Sequence, residues 1–256
     1  MSEDSLLFEI ADGIAAITIN RERRRNALDD ATLFSMRDAL ERCKKPELRV
    51  IVLTGAGTKA FSAGSDIKEL ATQTAAQRLA HTELGQSVAD AIEQHPCPVI
   101  AAIEGYCLGG GLEMAIACDY RIAGSGAVLG LPEVMLNALP SWGGTARMPR
   151  VVGVGRARQL IMFGKTVDAD TALAWGLVGE VVAEGEAFKT AMNMAREFVA
   201  KTDRGTVAIA KHLLSFGWAV PGRTGGYLEY LADMSQLSSD ALTAGVSRFV
   251  EGRSKT

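Results

Sequence analysis

The sequence predicts an α/β fold with a largely parallel sheet, followed by a C-terminal helical region. Two observations carry this. In the first half, short apolar runs of strand length alternate with longer segments of helical period, the pattern of strands joined by short crossovers. From about Gly143 onward, apolar residues recur mainly at i, i+3, i+4 and i+7, as on the buried face of a helix. No low-complexity linker separates the halves, and internal repeats are not evident. We place a division between residues 1–198, an α/β core, and 199–256, a helical region for assembly or for covering the site.

Residues 6–10 and 14–19 read as two strands around a turn at Asp12-Gly13. Asp29 or Asp30 is placed to cap a helix with Leu33, Phe34, Met36, Leu40 and Cys43 on one face. Residues 49–54 form an apolar strand ended by Gly55 and Gly57. Residues 75–93 suit a helix and 97–103 a buried strand; 120–122 and 128–129 are short strand candidates. Phe188, Ala191, Met192, Ala195, Phe198 and Val199 mark an amphipathic helix, and Tyr227, Leu228, Leu231, Met234 and Leu237 a second apolar stripe. That stripe suits covering the core or a neighbouring subunit.

Composition narrows the function classes. The chain has 256 residues, 48% hydrophobic and 22% charged, ordinary for a soluble globular protein. A net charge of −3 lacks the basic excess of a nucleic-acid binder. No apolar run reaches the roughly 18 residues of a membrane span, and the acidic N-terminus lacks the regions of a signal peptide. Cys43, Cys97, Cys107 and Cys118 form no C-x-x-C pair, and His81, His95 and His212 have no partner at ligand spacing. The expectation is a cytoplasmic, metal-free protein with buried thiols, no cofactor, and neither nucleic acid nor membrane as partner.

The most informative run is Gly105-Tyr-Cys-Leu-Gly-Gly-Gly-Leu-Glu-Met-Ala-Ile-Ala-Cys118, where one carboxylate, Glu113, sits in apolar and glycine-rich surroundings. Gly109 to Gly111 let backbone approach a ligand closely, and the helix formers that follow make the glycines a helix start. Amides there are unpaired and sit at the positive end of the dipole, suited to an anion or a developing oxyanion. The same run also suits a tight helix–sheet contact with Glu113 as a dipole partner. Two further segments bear on it. Ala60-Phe-Ser-Ala-Gly-Ser-Asp-Ile-Lys-Glu69 is a small-residue turn that offers a second backbone N–H at the Gly64–Ser65 peptide. Leu129-Gly-Leu-Pro-Glu-Val134 places Glu133 twenty residues after Glu113, ahead of a second glycine-rich helix entry at 139–147. Two carboxylates beside paired N–H donors suit proton transfer next to a carbonyl.

In order and spacing these segments resemble the crotonase, or enoyl-CoA hydratase/isomerase, superfamily. The resemblance runs from Arg21 and Asn26-Ala-Leu28 through Phe61–Lys68 and Gly105–Glu113 to Pro132-Glu133, Gly143-Gly-Thr145 and 172–178. It implies a core of ββα units wound as a spiral. It implies that the N–H groups of Ser65 and Gly110 form an oxyanion hole for a thioester carbonyl. The backbone around Arg24 and Arg25, with Ser65, Asp66, Ile67, Lys68, Gly110 and Trp142, would line the coenzyme A and acyl site. Glu113 and Glu133 both match, which implies hydration of a 2-enoyl-CoA, with an acyl-CoA thioester as partner and coenzyme A entering only as part of the substrate. A homotrimer or homohexamer follows from the same resemblance.

Some features depart from the family's common pattern or fit other classes. Arg21-Glu-Arg-Arg-Arg25 replaces an Arg-Pro approach to Asn26, as a contact to coenzyme A phosphates or as a solvated basic loop. Trp142 stands where small residues are frequent, either narrowing the acyl pocket or packing in the core. An enoyl-CoA isomerase, a carnitinyl-CoA-type dehydratase and a non-catalytic acyl-CoA-binding protein are the alternatives. Ser65-Asp-Ile-Lys68 also fits the S-x-x-K of serine acyl-transfer enzymes, but the companion S-D-N and K-T-G motifs are absent. Gly164-Lys-Thr166 resembles a P-loop in which Gln159 replaces the first glycine.

Overall fold

The computed structural model describes residues 4–217, 219–237 and 239–253. The chain opens with a hairpin of β1 (Leu6–Ala11) and β2 (Ile14–Ile19). Asp12 and Gly13 between them both have positive φ, 52° and 76°. A two-residue turn that matches strand twist needs this at both central positions, and Asp-Gly supplies it. α1 (Asp30–Arg42) follows, capped by Asp29, whose carboxylate accepts from the Thr32 amide at 2.8 Å. Leu33, Met36 and Leu40 are buried as expected, but Phe34 is not. It lies one residue, or about 100°, round the helix from Leu33, and Arg37 covers its ring.

Three units then repeat one pattern. β3 (Val50–Gly55) and β4 (Ala60–Ser62) lead to α2 (Ile67–Leu70) and α3 (Ala75–Glu93). β5 (Val99–Ile103) and β6 (Tyr106–Leu108) lead to α4 (Gly110–Ala117). β7 (Tyr120–Gly124) and β8 (Val128–Gly130) lead to a 3-10 turn (Pro132–Leu136), α5 (Gly144–Val152) and α6 (Val154–Met162). The first strand of each unit joins a six-stranded sheet, ordered β1-β2-β3-β5-β7-β10, and the second a four-stranded sheet, ordered β4-β6-β8-β9. The chain thus winds as a ββα spiral between two sheets, not one as the alternation alone suggested. The reason is connection length. The links inside each pair are a few residues, far short of the dozen or so a parallel crossover needs. The second strand therefore cannot be a parallel neighbour of the first, and it pairs in the other sheet instead.

β9 (Thr166–Asp168), α7 (Ala169–Trp175), β10 (Glu180–Val182) and α8 (Ala187–Lys201) complete the core. Ala187, Ala191 and Ala195 bury one stripe of α8 against Val50, Val52, Ile100, Ala102 and Ile122 of the six-stranded sheet. Small side chains at i, i+4 and i+8 let the helix axis come close, while Phe188 at the stripe's edge stays 38% exposed. The expected division between 198 and 199 falls inside α8, which ends at Lys201. α9 (Arg204–Gly217), α10 (Gly222–Gln236) and α11 (Asp240–Arg253) follow. Lys211 ties α9 to the core: its buried ammonium donates to the carbonyls of Ile92 and Cys97 and pairs with Asp119 at 2.7 Å. The stripe on α10 does not cover the chain's own core, since Tyr227, Leu231, Met234 and Leu237 are all exposed. All four cysteines are free and buried. Among the described residues no helix is long and apolar enough to cross a membrane.

Candidate active site

The parallel strands of the smaller sheet all end at one place. β4 runs out at Gly64-Ser65, β6 at Gly109-Gly110, and β8 into the turn that carries Glu133. Loops at the carboxyl ends of parallel strands are where α/β folds place ligands.

Close approach of two backbones shapes the first wall. Gly64 has φ +90°, and a Cβ there would lie 2.9 Å from the Leu108 carbonyl oxygen and 3.1 Å from the Gly110 nitrogen. The Gly64–Ser65 turn is pinned from its far side: Leu28 N–H donates to the Gly64 oxygen at 2.8 Å, and Asp66 N–H to the Leu28 oxygen at 2.9 Å. Gly110 opens α4, so its amide has no acceptor within the helix. Among the described residues neither the Ser65 nor the Gly110 amide is hydrogen-bonded. Two adjacent free N–H donors are what a developing oxyanion requires.

Glu113 lies in the first turn of α4 and is 2% exposed. Its Oε1 accepts from the amides of Trp142 at 2.7 Å and Gly144 at 2.8 Å. Gly144 begins α5, so the carboxylate sits at the positive end of a second helix, not only its own. Glu133 lies near Gly109, where a Cβ would be 3.2 Å from Oε1. Both of its oxygens are buried without a hydrogen-bond partner among the described residues. Burial pushes the Glu113 carboxyl up to about 7, with two backbone hydrogen bonds opposing and repulsion from Glu133 adding to the rise. Burial pushes Glu133 up to about 6. Repulsion acts on whichever carboxyl ionises second, so the order of titration belongs to the pair. The hydrogen bonds set the two apart: the amides of Trp142 and Gly144 favour charge on Glu113, whereas only its own backbone favours charge on Glu133.

A cavity of about 290 Å³ joins these groups, lined among others by Ser65, Ile67, Gly110, Glu113, Glu133 and Trp142. The remaining expected contacts stand apart from it. Asp66 caps α2 through the Lys68 amide and pairs with Arg21 at 3.0 Å, so its carboxylate is spoken for by the fold. Lys68 and Arg24 are exposed. Arg25, at φ +52°, stacks over Tyr106, and its carbonyl accepts from Ala63 N–H next to the Gly64 turn. Only its backbone reaches towards the site.

Trp142 both lines the cavity and packs in the core. Its indole lies where a Cβ on Gly85 would be 2.1 Å from Cε2 and one on Gly110 would be 2.3 Å from Cζ3. Gly85 sits in the interior of α3, where glycine costs roughly 0.5–1 kcal/mol against alanine; the indole is the reason for it. Other groups here escaped the sequence reading because their partners are far along the chain. His81, on the cavity wall, bonds through Nδ1 to Asp30 at 2.6 Å, and Glu69 completes a group whose ligand atoms all lie within 4.8 Å of one another. Arg147 pairs with Asp90 and Glu93 on α3 and donates to the Trp142 carbonyl at 3.0 Å. Asn26 is fully buried at φ +54°, and its side chain donates to the carbonyls of Ala56 and Ala60.

The family described as enoyl-CoA hydratase/isomerase matches residues 9–256. A short-chain-enoyl-CoA hydratase of Clostridium acetobutylicum is 36% identical over 254 residues, covering 99% of this chain and 97% of its own. A crotonyl-CoA hydratase of Syntrophomonas wolfei is 39% identical over 202 residues, 78% of each chain. The crystal structure of an enoyl-CoA hydratase from Bacillus anthracis superposes with a TM-score of 0.93 at 37% identity, covering 97% of this chain and 96% of that one. With the ββα spiral and two glutamates in one cavity with Ser65 and Gly110, these likenesses place the chain in the enoyl-CoA hydratase/isomerase family.

Proposed function

We propose that this protein is an enoyl-CoA hydratase, a hydro-lyase that adds water reversibly across the double bond of a 2-enoyl-CoA thioester. The observation that carries the reading is the asymmetric carboxylate pair: Glu113 held by two amides and Glu133 by none, in one cavity with two free N–H donors. The relatives named as hydratases support it further.

The thioester oxygen is received by the Ser65 and Gly110 amides. Water lies between the carboxyls, and Glu113, as carboxylate, takes one of its protons while the oxygen bonds to Cβ. The π electrons move onto Cα and the thioester oxygen, giving an enolate that the two amides stabilise. Glu133 delivers its proton to Cα. The proton gained by Glu113 then returns to Glu133, and the net change is one water added. One oxyanion donor contributes about 10²–10³ in rate and acid–base catalysis about 10²–10⁴, so neither part dispenses with the other. Coenzyme A is part of the substrate, and this chemistry calls for no cofactor.

The reading extends to assembly and location: a homotrimer or homohexamer closed through the apolar face of α10, in the cytoplasm. The test of activity is direct. Purified protein mixed with crotonyl-CoA should remove the absorbance of the conjugated thioester and give 3-hydroxybutyryl-CoA. No loss of conjugation, or a product with a shifted double bond, would overturn the hydratase reading.

A further inference from the structure

Trp142 borders two cavities. One is the site cavity; the other, of about 440 Å³, is bordered also by Gln86, Asp90, Ala146, Arg147 and Phe216. Among the described residues Trp142 is the one that lines both. The indole is wedged, with α3 against it at Gly85 and α4 at Gly110, where even a methyl group would collide. The His81 ring lies 5.2 Å away, centroid to centroid. The backbone on which the indole stands is tied at both ends, its N–H to Glu113 and its carbonyl to Arg147.

We infer that Trp142 is the stop that sets acyl-chain length. The site accepts short 2-enoyl thioesters, and the second cavity is the space a longer alkyl tail would need. This rests on the enoyl-CoA reading above. A tail entering past Glu113 and Glu133 meets the indole, not an open channel. Pushing the indole aside would strip packing from Gly110, whose amide receives the thioester oxygen, so long substrates lose both binding and rate.

The experiment compares kcat/KM for four-carbon and ten-carbon 2-enoyl-CoA thioesters. The native protein should favour the four-carbon substrate by at least about tenfold, the scale on which pocket walls discriminate methylene groups. Trp142→Ala should raise the ten-to-four-carbon ratio by at least about tenfold. Ala146→Trp fills the second cavity from another of its walls. Alone it should leave the ratio as in the native protein, and combined with Trp142→Ala it should reverse the gain. If Trp142→Ala does not fold, Trp142→Leu should shift the ratio in the same direction by less. An unchanged ratio in the folded Trp142 variant, or native turnover of the ten-carbon substrate equal to the four-carbon one, would overturn the assignment. So would a gain that Ala146→Trp fails to reverse. If the native protein hydrates none of these thioesters, the hydratase reading fails by itself. The stop is then judged by calorimetric binding of butyryl-CoA against decanoyl-CoA, with the same ratios expected.

Discussion

The amide of Gly144 donates to Oε1 of Glu113 at 2.8 Å, joining the start of α5 to a carboxylate on α4. Trp142 adds a second hydrogen bond to the same oxygen at 2.7 Å. Both fall on Oε1, so the glutamate is fixed in place while Oε2 keeps its lone pairs for another partner.

Keeping that carboxylate buried costs stability. The unfolded glutamates titrate near 4.5 and the folded pair at about 7 and about 6, so between 4.5 and 7 the folded chain holds more protons than the unfolded one. Stability therefore falls as pH rises through that window. At about 1.4 kcal/mol per pKa unit the higher step alone costs on the order of 3 kcal/mol above pH 7. Glu113→Gln keeps the acceptor oxygen without the charge. It should unfold at a higher temperature than the native protein at pH 8, with the gap closing towards pH 4.5. Calorimetry at the two pH values checks this, and a variant less stable at pH 8 would contradict it.

Glu133→Gln should preserve the fold and thioester binding yet lower kcat by at least about 10². In the native protein the acid limb of kcat/KM should lie near 6, well above the ordinary carboxylate value, because the pair takes up its second proton there and Glu113 ceases to be a base. Rates across a pH series measure both. Near-normal turnover by the variant would remove Glu133 from the reaction.

Gly64→Ala tests the paired amides without touching a carboxylate. At φ +90° an alanine is strained, and its Cβ would press on the Gly110 nitrogen 3.1 Å away. Displacing one donor should cost about 10²–10³ in kcat, with circular dichroism showing the fold retained. An alanine variant as fast as the native protein would mean that the two amides do not act together.

Ser65→Ala removes a hydroxyl and leaves the amide. If the N–H is what matters, kcat/KM should stay within about tenfold, or 1.4 kcal/mol. A serine nucleophile predicts a loss of several orders of magnitude, which steady-state kinetics would reveal at once.

Light scattering should report a particle of three or six chains. On α10, Tyr227 and Tyr230 stack 6.5 Å apart and, like Leu231 and Met234, are exposed in the single chain. A surface of this kind is costly to leave in water. Replacing Leu231 and Met234 by glutamate should shift the particle towards monomers; an active native monomer at low concentration would refute the assembly.

The sequence by itself determined the longer elements of the core and their order, while the three-residue strands β4 and β6 lie in segments it read as a turn and a glycine-rich helix start. Asp12-Gly13 specifies the hairpin turn because both residues tolerate positive φ, and Asp29 specifies the start of α1 by its capping side chain. The run around Glu113 announces a helix start with free amides, because glycines followed by helix formers leave the first N–H groups without acceptors. These signals are local, so a linear reading finds them. Only the tertiary structure decided that β4, β6 and β8 leave the main sheet, because the choice of strand partner depends on connection length and packing rather than on any residue's own preference. It alone set Gly64 against Gly110, Gly85 against Trp142 and His81 against Asp30. It also showed the Asp66 carboxylate turned to Arg21 and not to the cavity. The charge state of the site is decided in the same way. A glutamate's sequence neighbours do not fix how much water reaches it or which amides face it, and the hydrogen bonds that part Glu113 from Glu133 come from 29 and 31 residues along the chain.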